Sequence, residues 1–446
     1  MTMQHQQHHH HHHDQNPSSI IIVGAGVFGA STALHLSRRY PSYGITVFDR
    51  SPFPSPRAAS TDISKIVRAA YSDLNYCRLA ARSHDIWRND RLLNKFYHEA
   101  GMLSIRPYKG GARTMLENFK RLGINEDAKV VTPEEVKTMF NGVFERANFN
   151  KVEEFLWEPN AGWAEAANAL AAIMQAAVDN GVSYVSNAVS KLIVVEGRCC
   201  QGVELTDGSK HYASKVLLCA GADTARILAE SAPQDPGLHA GPRFVAGAII
   251  EAKVKLTSEQ LERYKATPAV LWDADPARGE TMPPTPDGYL KFIRDIPLAN
   301  TLVHAASKTR ISVAPPNAEG TEWTARENLP EVLQDEMTTV IGGIFGPDAA
   351  QELIPQHLRL CWEPLAPDES WFVTPHPRCE NLYIATAGSG HAWKFLPVLG
   401  EFTVRMMLDP KGWEDDEFAK SWAWDRELID SPDEDVIPRR QLADMR

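Results

Sequence analysis

Short apolar runs and helical apolar spacing alternate along the first part of the chain. Residues 20–23 are continuously apolar and rich in β-branched side chains, and after a glycine-rich turn Ala33, Leu34 and Leu36 follow at helical spacing. A second strand-like run, ITVFD, occupies residues 45–49. A short continuous apolar run is typical of a strand buried on both faces of a parallel sheet. The segment therefore predicts strand, turn, helix and strand, the beginning of an α/β domain.

The apolar pattern of the first segment returns in two later parts of the chain. An alanine-rich stretch at residues 164–180 predicts a long helix, and the β-rich segments after it end in a buried strand with a glycine exit at Ala220 and Gly221. Residues 381–408 again predict a strand, a glycine turn and a helix. We therefore expect the C-terminal part of the chain to complete the first domain.

A second unit is predicted between these parts, with strands at residues 244–254 and 288–295 and a helix within 329–345. The expected limits are 1–19 for a tag or disordered leader, 20–85, 161–235 and 351–410 for a Rossmann-like nucleotide-binding domain, 86–160 and 236–350 for a substrate domain, and 411–446 for a C-terminal tail.

The amino-acid composition is that of a globular protein and argues against nucleic-acid binding and metal binding. The 446 residues are 43% hydrophobic and 23% charged, which is enough for a substantial core. The net charge of -11, without any block dense in lysine or arginine, argues against nucleic acid as a partner. The six cysteines have no metal-ligand spacing, so no metal site is predicted and a reducing intracellular setting is favoured.

The two ends of the chain carry little chemistry. The histidine-rich start is excluded from fold reasoning as a tag or a disordered leader. No apolar run has the length of a membrane span, no signal-peptide pattern is present, and the final residues QLADMR are not a peroxisomal SKL signal. We expect a cytoplasmic protein without a membrane partner, as a monomer or a small homo-oligomer. The tryptophans of the acidic tail either pack onto the core or stay solvated.

The motif GxGxxG follows the first predicted strand, with Gly24, Gly26 and Gly29 at the mouth of the helix. Gly24 allows the tight turn, Gly26 lets a pyrophosphate approach the backbone, and Gly29 lets helix and strand pack. Asp49 ends the next strand 20 residues after Gly29, where its carboxylate can accept both ribose hydroxyls. The motif predicts an adenine dinucleotide but does not separate FAD from NAD. The predicted cofactor-binding set also includes Val27, Phe28, Arg50, Ser60, Ala220 and Gly221.

Five stretches carry a resemblance to a known family. They are GAGVFGASTALHL, STDISKIVR, GYLKFIRD, RLCWEPLAPDESWFV and GSGHAWKFLPVLG. From Ile20 to about Met407 the chain resembles the FAD-dependent amine oxidases that include monomeric sarcosine oxidase, fungal amadoriases (fructosyl amino acid oxidases) and fungal saccharopine and pipecolate oxidases. The resemblance implies an α/β, two-domain fold: a Rossmann-like FAD-binding domain with a second, mostly antiparallel sheet as substrate domain.

Cys361 lies in LRLCWEPLAPDESWFVTPHP, where a buried free thiol is the ordinary explanation. In the family, the matching cysteine forms a thioether to the 8α-methyl group of the flavin, so the resemblance implies covalent FAD. Lys291 matches a family lysine that is held over the flavin by a water and assists oxygen reduction. A fixed cation there stabilises developing negative charge, whereas a surface strand lysine is the alternative.

The stretch GSGHAWK resembles the segment of the family that faces the pyrimidine edge of the flavin. Gly388 and Gly390 would bring backbone N–H groups there, and Lys394 would bind the substrate carboxylate. Trp393 replaces the phenylalanine of the family and is expected to narrow the substrate pocket. A helix cap is the alternative explanation of the two glycines. For His391 and for Tyr71, a pocket role and a structural role both stay open.

Lys65 and Arg68 are three residues apart, so they share one helical face or both line a tight loop. Arg68 is expected to bind the substrate carboxylate, because its planar guanidinium suits bidentate pairing, and Lys65 to contact the flavin edge or its water. A solvated helix face is the alternative for either residue. Asp295 lies four residues after Lys291, where a carboxylate suits a substrate with a polar or cationic arm.

The predicted function is FAD-dependent oxidation of the secondary amine of an N-substituted α-amino acid, such as a fructosyl amino acid, an N-methyl amino acid or a saccharopine-like compound. The expected partners are that amine and O₂, and the products are an imine, then amine plus carbonyl, and H₂O₂. Three alternatives stay open: an oxidase of a cyclic or secondary-metabolite amine such as pipecolate, an NAD-linked dehydrogenase, and a non-catalytic flavoprotein that binds a partner.

Overall fold

The computed structural model describes residues 19–105, 110–195, 198–317, 320–429 and 436–445. The predicted leader, apart from Ser19, lies outside the described residues. The strands are β1 Ser19–Val23, β2 Gly44–Asp49, β3 Lys65–Val67, β4 Tyr97–Glu99, β5 Met102–Ser104, β6 Lys129–Val131, β7 Phe155–Glu158, β8 Gly162–Ala164, β9 Ser183–Ser186, β10 Val189–Val195, β11 Cys199–Leu205, β12 Lys210–Tyr212, β13 Lys215–Leu218, β14 Val245–Lys255, β15 Ala269–Trp272, β16 Gly279–Thr281, β17 Tyr289–Ala299, β18 Thr301–Val303, β19 Arg310–Ser312, β20 Thr324–Ala325, β21 His357–Leu365, β22 Phe372–Pro375, β23 Leu382–Thr386 and β24 Arg440–Gln441.

The helices follow the same chain order. They are α1 Val27–Arg39, α2 Leu74–Asn89, α3 Gly111–Leu122, α4 Pro133–Thr138, α5 Ala166–Asp179, α6 Thr224–Ser231, α7 Ser258–Tyr264, α8 Glu331–Phe345, α9 Pro347–Glu352, α10 Leu399–Leu408 and α11 Pro410–Glu414.

The first sheet has six strands in the order β22-β23-β13-β1-β2-β9. Its pairs are parallel, except for β22 with β23. β1 lies between β2 and β13 and is covered on both faces, which explains its continuous apolar run. Helix α1 packs against α5 and α10, so segments distant in sequence build one layer over this sheet.

The second sheet has ten strands and is mostly antiparallel, in the order β20-β21-β14-β17-β16-β15-β5-β7-β6, with β24 beside β17. The two exceptions are the parallel pairs β5 with β15 and β17 with β24. β14 lies at the centre, between β17, which carries Lys291, and β21, which carries Cys361. The predicted fold class, a Rossmann-like sheet with a mostly antiparallel second sheet, is confirmed. The predicted domain limits stay a prediction.

The expectation of a shared helical face for Lys65 and Arg68 is wrong. Residues Lys65–Val67 form β3, which pairs with β8, and Arg68 follows directly. Gly162 makes this small sheet possible, because a Cβ at Gly162 would lie 2.0 Å from the carbonyl oxygen of His98. Residue 164 belongs to strand β8, Gly162–Ala164, and α5 therefore begins at Ala166 and not at residue 164.

The described part of the C-terminal tail packs onto the core. Trp413, Trp422 and Trp424 are buried. The indole of Trp422 stacks on Phe418 at a centroid distance of 4.3 Å, and its Nε1–H donates to the hydroxyl of Tyr76 at 3.0 Å. The question left open by the sequence is answered in favour of packing for these three tryptophans.

Among the described residues, no helix combines the length and the apolar character that crossing a membrane requires.

We expect the change Trp422→Ala to lower the free energy of unfolding by about 3 to 5 kcal/mol, because it leaves a cavity under the tail and removes one hydrogen bond of the Tyr76 hydroxyl. Urea unfolding followed by intrinsic fluorescence and by circular dichroism measures the change. Ile429→Ala is the matched control, because Ile429 lies in the same tail but is 68% exposed. Equal midpoints for Trp422→Ala and the wild type would show that the tail does not contribute to the core.

Candidate active site

A cavity of about 860 Å³ lies between the carboxyl ends of the first sheet and one face of the second. Val23, Asp49 and Ala220 line it where β1, β2 and β13 end, which is where open α/β sheets bind their ligands. Every residue predicted for the site lines this cavity, with the exception of Gly29.

The glycine turn has the geometry that a dinucleotide requires. Gly24 has φ +102°, and a Cβ there would lie 2.4 Å from the carbonyl oxygen of Cys219. Gly29 stays out of the cavity because it packs on the turn, where its Cβ would lie 1.9 Å from the carbonyl oxygen of Gly24. Gly26 begins α1 without a side-chain cap, so the helix N-terminus is available for an anion.

The neighbours of the turn are held by polar contacts. The backbone N–H of Val27 donates to Ser60 Oγ at 2.9 Å, and that of Ala25 donates to Asp49 Oδ2 at 2.8 Å. Burial raises the pKa of Asp49 above its ordinary value, although the Ala25 N–H acts in the opposite direction. Arg50 lies 2.9 Å from Asp223, so its guanidinium is already paired.

A buried ion cluster forms the floor of the cavity at the second sheet. Lys291 Nζ donates to the carboxylate of Asp62 and, at 3.0 Å, to the carbonyl oxygen of Ser64, and it lies 3.6 Å from Glu251. Arg359 donates to the carboxylate of Glu251 and lies 3.6 Å from Asp62. Lys65 completes the cluster, 3.4 Å from Asp62 and 4.0 Å from Glu251.

The cluster carries one excess positive charge, because it contains three cations and two carboxylates. Burial alone would raise the pKa of Asp62, but Lys291, Arg359 and Lys65 hold it well below its usual range. Burial would lower the pKa of Lys65, but the two carboxylates raise it above its ordinary value. Asp62 and Lys65 are therefore both charged at neutral pH, and the cluster is a fixed source of positive potential.

Cys361 lies beside this cluster. It is two residues after Arg359 on β21, hence on the same face, and its Sγ is 3.8 Å from Arg359 Nη2. Burial raises the pKa of the Cys361 thiol to about 12, and the carboxylate of Glu251 adds to this effect. Arg359 and Lys65 act in the opposite direction. The thiol is therefore protonated at neutral pH, with a cation beside it that would stabilise a thiolate.

Arg68 and Lys394 meet at Tyr71. The guanidinium of Arg68 lies 4.3 Å from the centroid of the Tyr71 ring, and Lys394 Nζ donates to the Tyr71 hydroxyl at 3.0 Å. Arg68 is only 7% exposed, and its Nη1 is buried without a hydrogen-bond partner among the described residues. A buried guanidinium N–H without an acceptor is costly, so this atom indicates that a ligand oxygen belongs there.

The GSGHAWK segment closes the other side of the cavity. Gly390 has φ +72°, and its N–H donates to Glu363 Oε2 at 2.7 Å. Gly388 lines the cavity beside it. His391 lies within hydrogen-bond distance of the Tyr71 hydroxyl, 3.1 Å from Nδ1. This contact orients the Tyr71 hydroxyl, which accepts a hydrogen bond from the Lys394 ammonium.

Trp393 is fixed against the protein rather than free in the pocket. Its Nε1–H donates to the carbonyl oxygen of Ser60 at 3.0 Å, and its ring stacks on Trp87 at 5.2 Å between centroids. The indole still lines the cavity with one edge. The predicted narrowing of the pocket by Trp393 stays a prediction.

Two walls of the cavity come from neighbouring strands of the second sheet. Lys291, Ile293 and Asp295 alternate along β17 and all line the cavity, as residues on one strand face do. Glu280 on β16 lies opposite Ile293 and lines the cavity too.

The sequence analysis did not identify four charged residues of the site, namely Asp62, Glu251, Arg359 and Glu280. Asp62 and Arg359 lie inside stretches that were noticed for other residues. A charged residue directly after a run of apolar residues in a strand, as Glu251 is after residues 245–250 of β14, is the signal that could have found the cluster.

These residues fit FAD. The cavity joins an uncapped helix N-terminus and a strand-end carboxylate at Asp49 to a cysteine beside a cation cluster. The unpartnered Arg68 Nη1 lies in the wall of the same cavity.

Comparison with known proteins identifies the family. Residues 19–406 match the family of FAD dependent oxidoreductases. The chain is 27% identical over 443 residues to the L-saccharopine oxidase of Schizosaccharomyces pombe, covering 93% of this chain and 98% of that protein. An amino acid oxidase of Aspergillus flavus is 27% identical over 473 residues, covering 87% of this chain and 92% of that protein. A solved structure of a modified fructosyl peptide oxidase from Aspergillus nidulans superposes with a TM-score of 0.79 and 27% identity, covering 96% of this chain and 99% of that chain.

The match answers the choice between FAD and NAD that the glycine motif left open, because the family is FAD-dependent. The predicted resemblance is confirmed, as is the prediction of an FAD-dependent oxidoreductase. The chain belongs to the family of FAD dependent oxidoreductases.

Proposed function

We propose that the protein oxidises the secondary amine of an N-substituted α-amino acid. The observation that carries the proposal is the pair of cations at Tyr71, where the buried Arg68 Nη1 has no acceptor in the described part of the chain and Lys394 lies near the same phenol ring. A carboxylate supplies the acceptor that Arg68 Nη1 lacks among the described residues, it lies beside the positive charge of Lys394, and an Arg fork binds it with a defined orientation. An α-amino acid held in this way brings its amine to a fixed place in the cavity.

FAD, when bound, supplies a two-electron acceptor for the C–H bond beside the amine, and O₂ is the final acceptor, giving H₂O₂. The chain orients the substrate, excludes water and provides fixed charge. The imine that leaves the site hydrolyses to an amine and a carbonyl compound. The relatives named as L-saccharopine oxidase and fructosyl peptide oxidase support this reaction class.

Lys291 is assigned to the oxygen half-reaction. Its ammonium is held by Asp62 and by the carbonyl oxygen of Ser64, so the charge is in place before the reaction begins. A preorganised cation in a buried site stabilises negative charge that develops on O₂ without reorganisation.

Cys361 is assigned to covalent attachment of FAD. Its Sγ lies in the cavity wall, 3.8 Å from Arg359 Nη2. The thiol has to lose its proton for attachment, and the guanidinium of Arg359 would stabilise the thiolate. The other predicted cofactor contacts, from Gly24 to Lys394, keep the roles given by the resemblance.

A cytoplasmic location and a monomeric or small homo-oligomeric state remain part of the proposal. The expected small-molecule partners are the amine and O₂.

We expect H₂O₂ formation with at least one secondary amine from a panel of sarcosine, N-methyl aromatic amino acids, pipecolate, saccharopine and fructosyl-valine. The matched primary amino acids, glycine for sarcosine and lysine for saccharopine, should give at most a tenth of that rate. Pipecolate as the only active compound would favour the cyclic-amine alternative. If no secondary amine is oxidised, the proposed function is wrong.

We expect the flavin colour to stay with the denatured, washed wild-type polypeptide and to be lost from Cys361→Ser, since the variant lacks the sulfur that forms the thioether. Intact-protein mass and absorbance of the precipitate measure attachment. Cys219→Ser is the matched control, because Cys219 is a buried thiol in the wall of the same cavity, 3.4 Å from the Gly24 carbonyl oxygen. Attachment that survives in Cys361→Ser, or is lost equally in both variants, contradicts the assignment.

We expect Lys291→Met to slow reoxidation by O₂ at least tenfold while anaerobic reduction by the amine changes little, because the variant removes the fixed cation. Stopped-flow absorbance separates the two half-reactions. Lys253→Met is the control: Lys253 lies opposite Lys291 on β14 but outside the cavity. Lys291→Arg, which keeps the charge, should recover part of the rate. Equal losses in both half-reactions would show that Lys291 has another role.

A further inference from the structure

Glu280 occupies a central position in the wall of the cavity. It lies on β16, directly opposite Ile293 of β17 and Leu271 of β15. Residues directly opposite on paired strands share one face of the sheet, and all three line the cavity. Because Lys291 and Asp295 are the next residues on that face of β17, the Glu280 carboxylate lies beside the stretch of β17 between them.

The backbone of Glu280 pairs with β15 and β17, but its carboxylate makes no hydrogen bond and no ion pair with the described part of the chain. The other carboxylates of the cavity and its floor differ in this respect. Asp62 and Glu251 are held by the cations of the ion cluster, Glu363 accepts from the Gly390 N–H, and Asp49 accepts from the Ala25 N–H. A carboxylate that faces a cavity without a protein partner is available to a ligand.

The charges around Glu280 are dominated by cations. The ionisable groups that act on it most strongly are Lys291, Lys65, Lys394 and Arg68, and its own charge acts in turn on Glu363. A secondary amine in water is an ammonium ion at neutral pH, like the lysine side chain with its pKa of about 10.4. Asp62 and Glu251 offset part of the charge of Lys291 and Lys65, but the cluster keeps one excess positive charge, and Lys394 and Arg68 add to it. This positive charge disfavours an ammonium, and an ammonium has no lone pair with which to assist loss of hydride from the adjacent carbon.

We propose that Glu280 accepts the ammonium proton of the bound substrate and thereby delivers the neutral amine. The N–H bond of the ammonium breaks and an O–H bond forms on the Glu280 carboxylate. No electrons are transferred in this step, and the proton leaves to solvent when the product is released. The inference rests on the proposed oxidation of a secondary amine, and it adds a catalytic residue that touches the reacting nitrogen.

The environment of Glu280 favours this role. Burial raises the pKa of Glu280 above its ordinary value, whereas Lys291 and the other three cations act in the opposite direction. A higher pKa of Glu280 reduces the difference between its pKa and that of the substrate ammonium, which makes transfer of the proton to the carboxylate less unfavourable. Asp62 is unsuitable for the same task, because the cations lower its pKa and Lys291 already occupies it.

The variant Glu280→Gln tests the proposal, since it keeps the shape of the side chain and removes the proton acceptor. The measurement is the second-order rate constant of anaerobic flavin reduction between pH 6 and pH 10, with a substrate found in the panel. We expect a nearly level profile for the wild type from pH 7 to pH 9. In Glu280→Gln the rate constant should be about a thousandfold lower at pH 7 and rise by about tenfold per pH unit towards pH 10, because only the neutral amine reacts.

Convergence of the two profiles near pH 10 distinguishes a lost proton acceptor from a structural defect, which would lower the rate at every pH. Glu280→Asp should recover part of the level profile. Glu363→Gln is the matched control for charge, because it removes another carboxylate of the cavity wall but keeps an acceptor for the Gly390 N–H. Its pH slope should equal that of the wild type. A Glu280→Gln profile parallel to that of the wild type would overturn the proposal while leaving the proposed reaction intact.

A binding experiment provides a second readout that does not depend on turnover. Betaine and 3,3-dimethylbutanoate have the same shape and the same carboxylate, but only betaine carries a positive charge. We expect the wild-type holoenzyme to bind betaine more tightly than the carbon analogue, and Glu280→Gln to lose or reverse this preference. Titration followed by the flavin spectrum measures both affinities. An unchanged preference in Glu280→Gln would show that the carboxylate does not face the nitrogen of the ligand and would overturn the proposal.

Discussion

The contact between Lys291 and Asp62, with its neighbours Glu251 and Arg359, joins the two parts of the fold at the cavity floor. Asp62 comes from the segment before β3, whereas Glu251, Lys291 and Arg359 come from three adjacent strands, β14, β17 and β21. Side chains this deeply buried are stable as ions only when each has an opposite charge within reach, so removing one partner leaves an uncompensated charge that costs about 3 to 5 kcal/mol. The register of the three strands and the placement of the Asp62 segment are therefore mutually dependent.

Two kinds of polar group result from this arrangement. Each ion of the buried cluster has an opposite charge within 4.0 Å, so the cluster is a source of fixed charge within the described part of the chain. Arg68 Nη1 and the carboxylate of Glu280, in contrast, have no hydrogen-bond partner among the residues that the structure describes, and both residues line the cavity. The first kind provides preorganised charge for the reaction, and the second kind recognises what binds.

The sequence allowed the local parts of this site to be predicted, because their signals are local. The glycine turn, the strands carrying Lys291 and Cys361, and the return of residues 381–408 to the first sheet all follow from short patterns. The ion cluster could not be predicted, since Asp62 and Glu251 are 189 positions apart in a chain without a local signal that pairs them. Of the two arrangements predicted for Lys65 and Arg68, the shared helical face is wrong, because a three-residue strand has no pattern of its own and forms only when β8 is beside it.

The positions of Arg68, Lys394 and Glu280 give the cavity a direction for an amino acid. Two cations meet at Tyr71, and the unpaired carboxylate lies on β16 across from Ile293. A zwitterionic substrate satisfies both ends only in one orientation, with its carboxylate at Tyr71 and its ammonium at Glu280. Proton transfer to Glu280 then removes the attraction at one end, while the carboxylate contact persists. The ion pair at Glu280 thus orients the substrate on entry, and proton transfer converts it into a neutral amine beside a carboxylic acid before the C–H bond breaks.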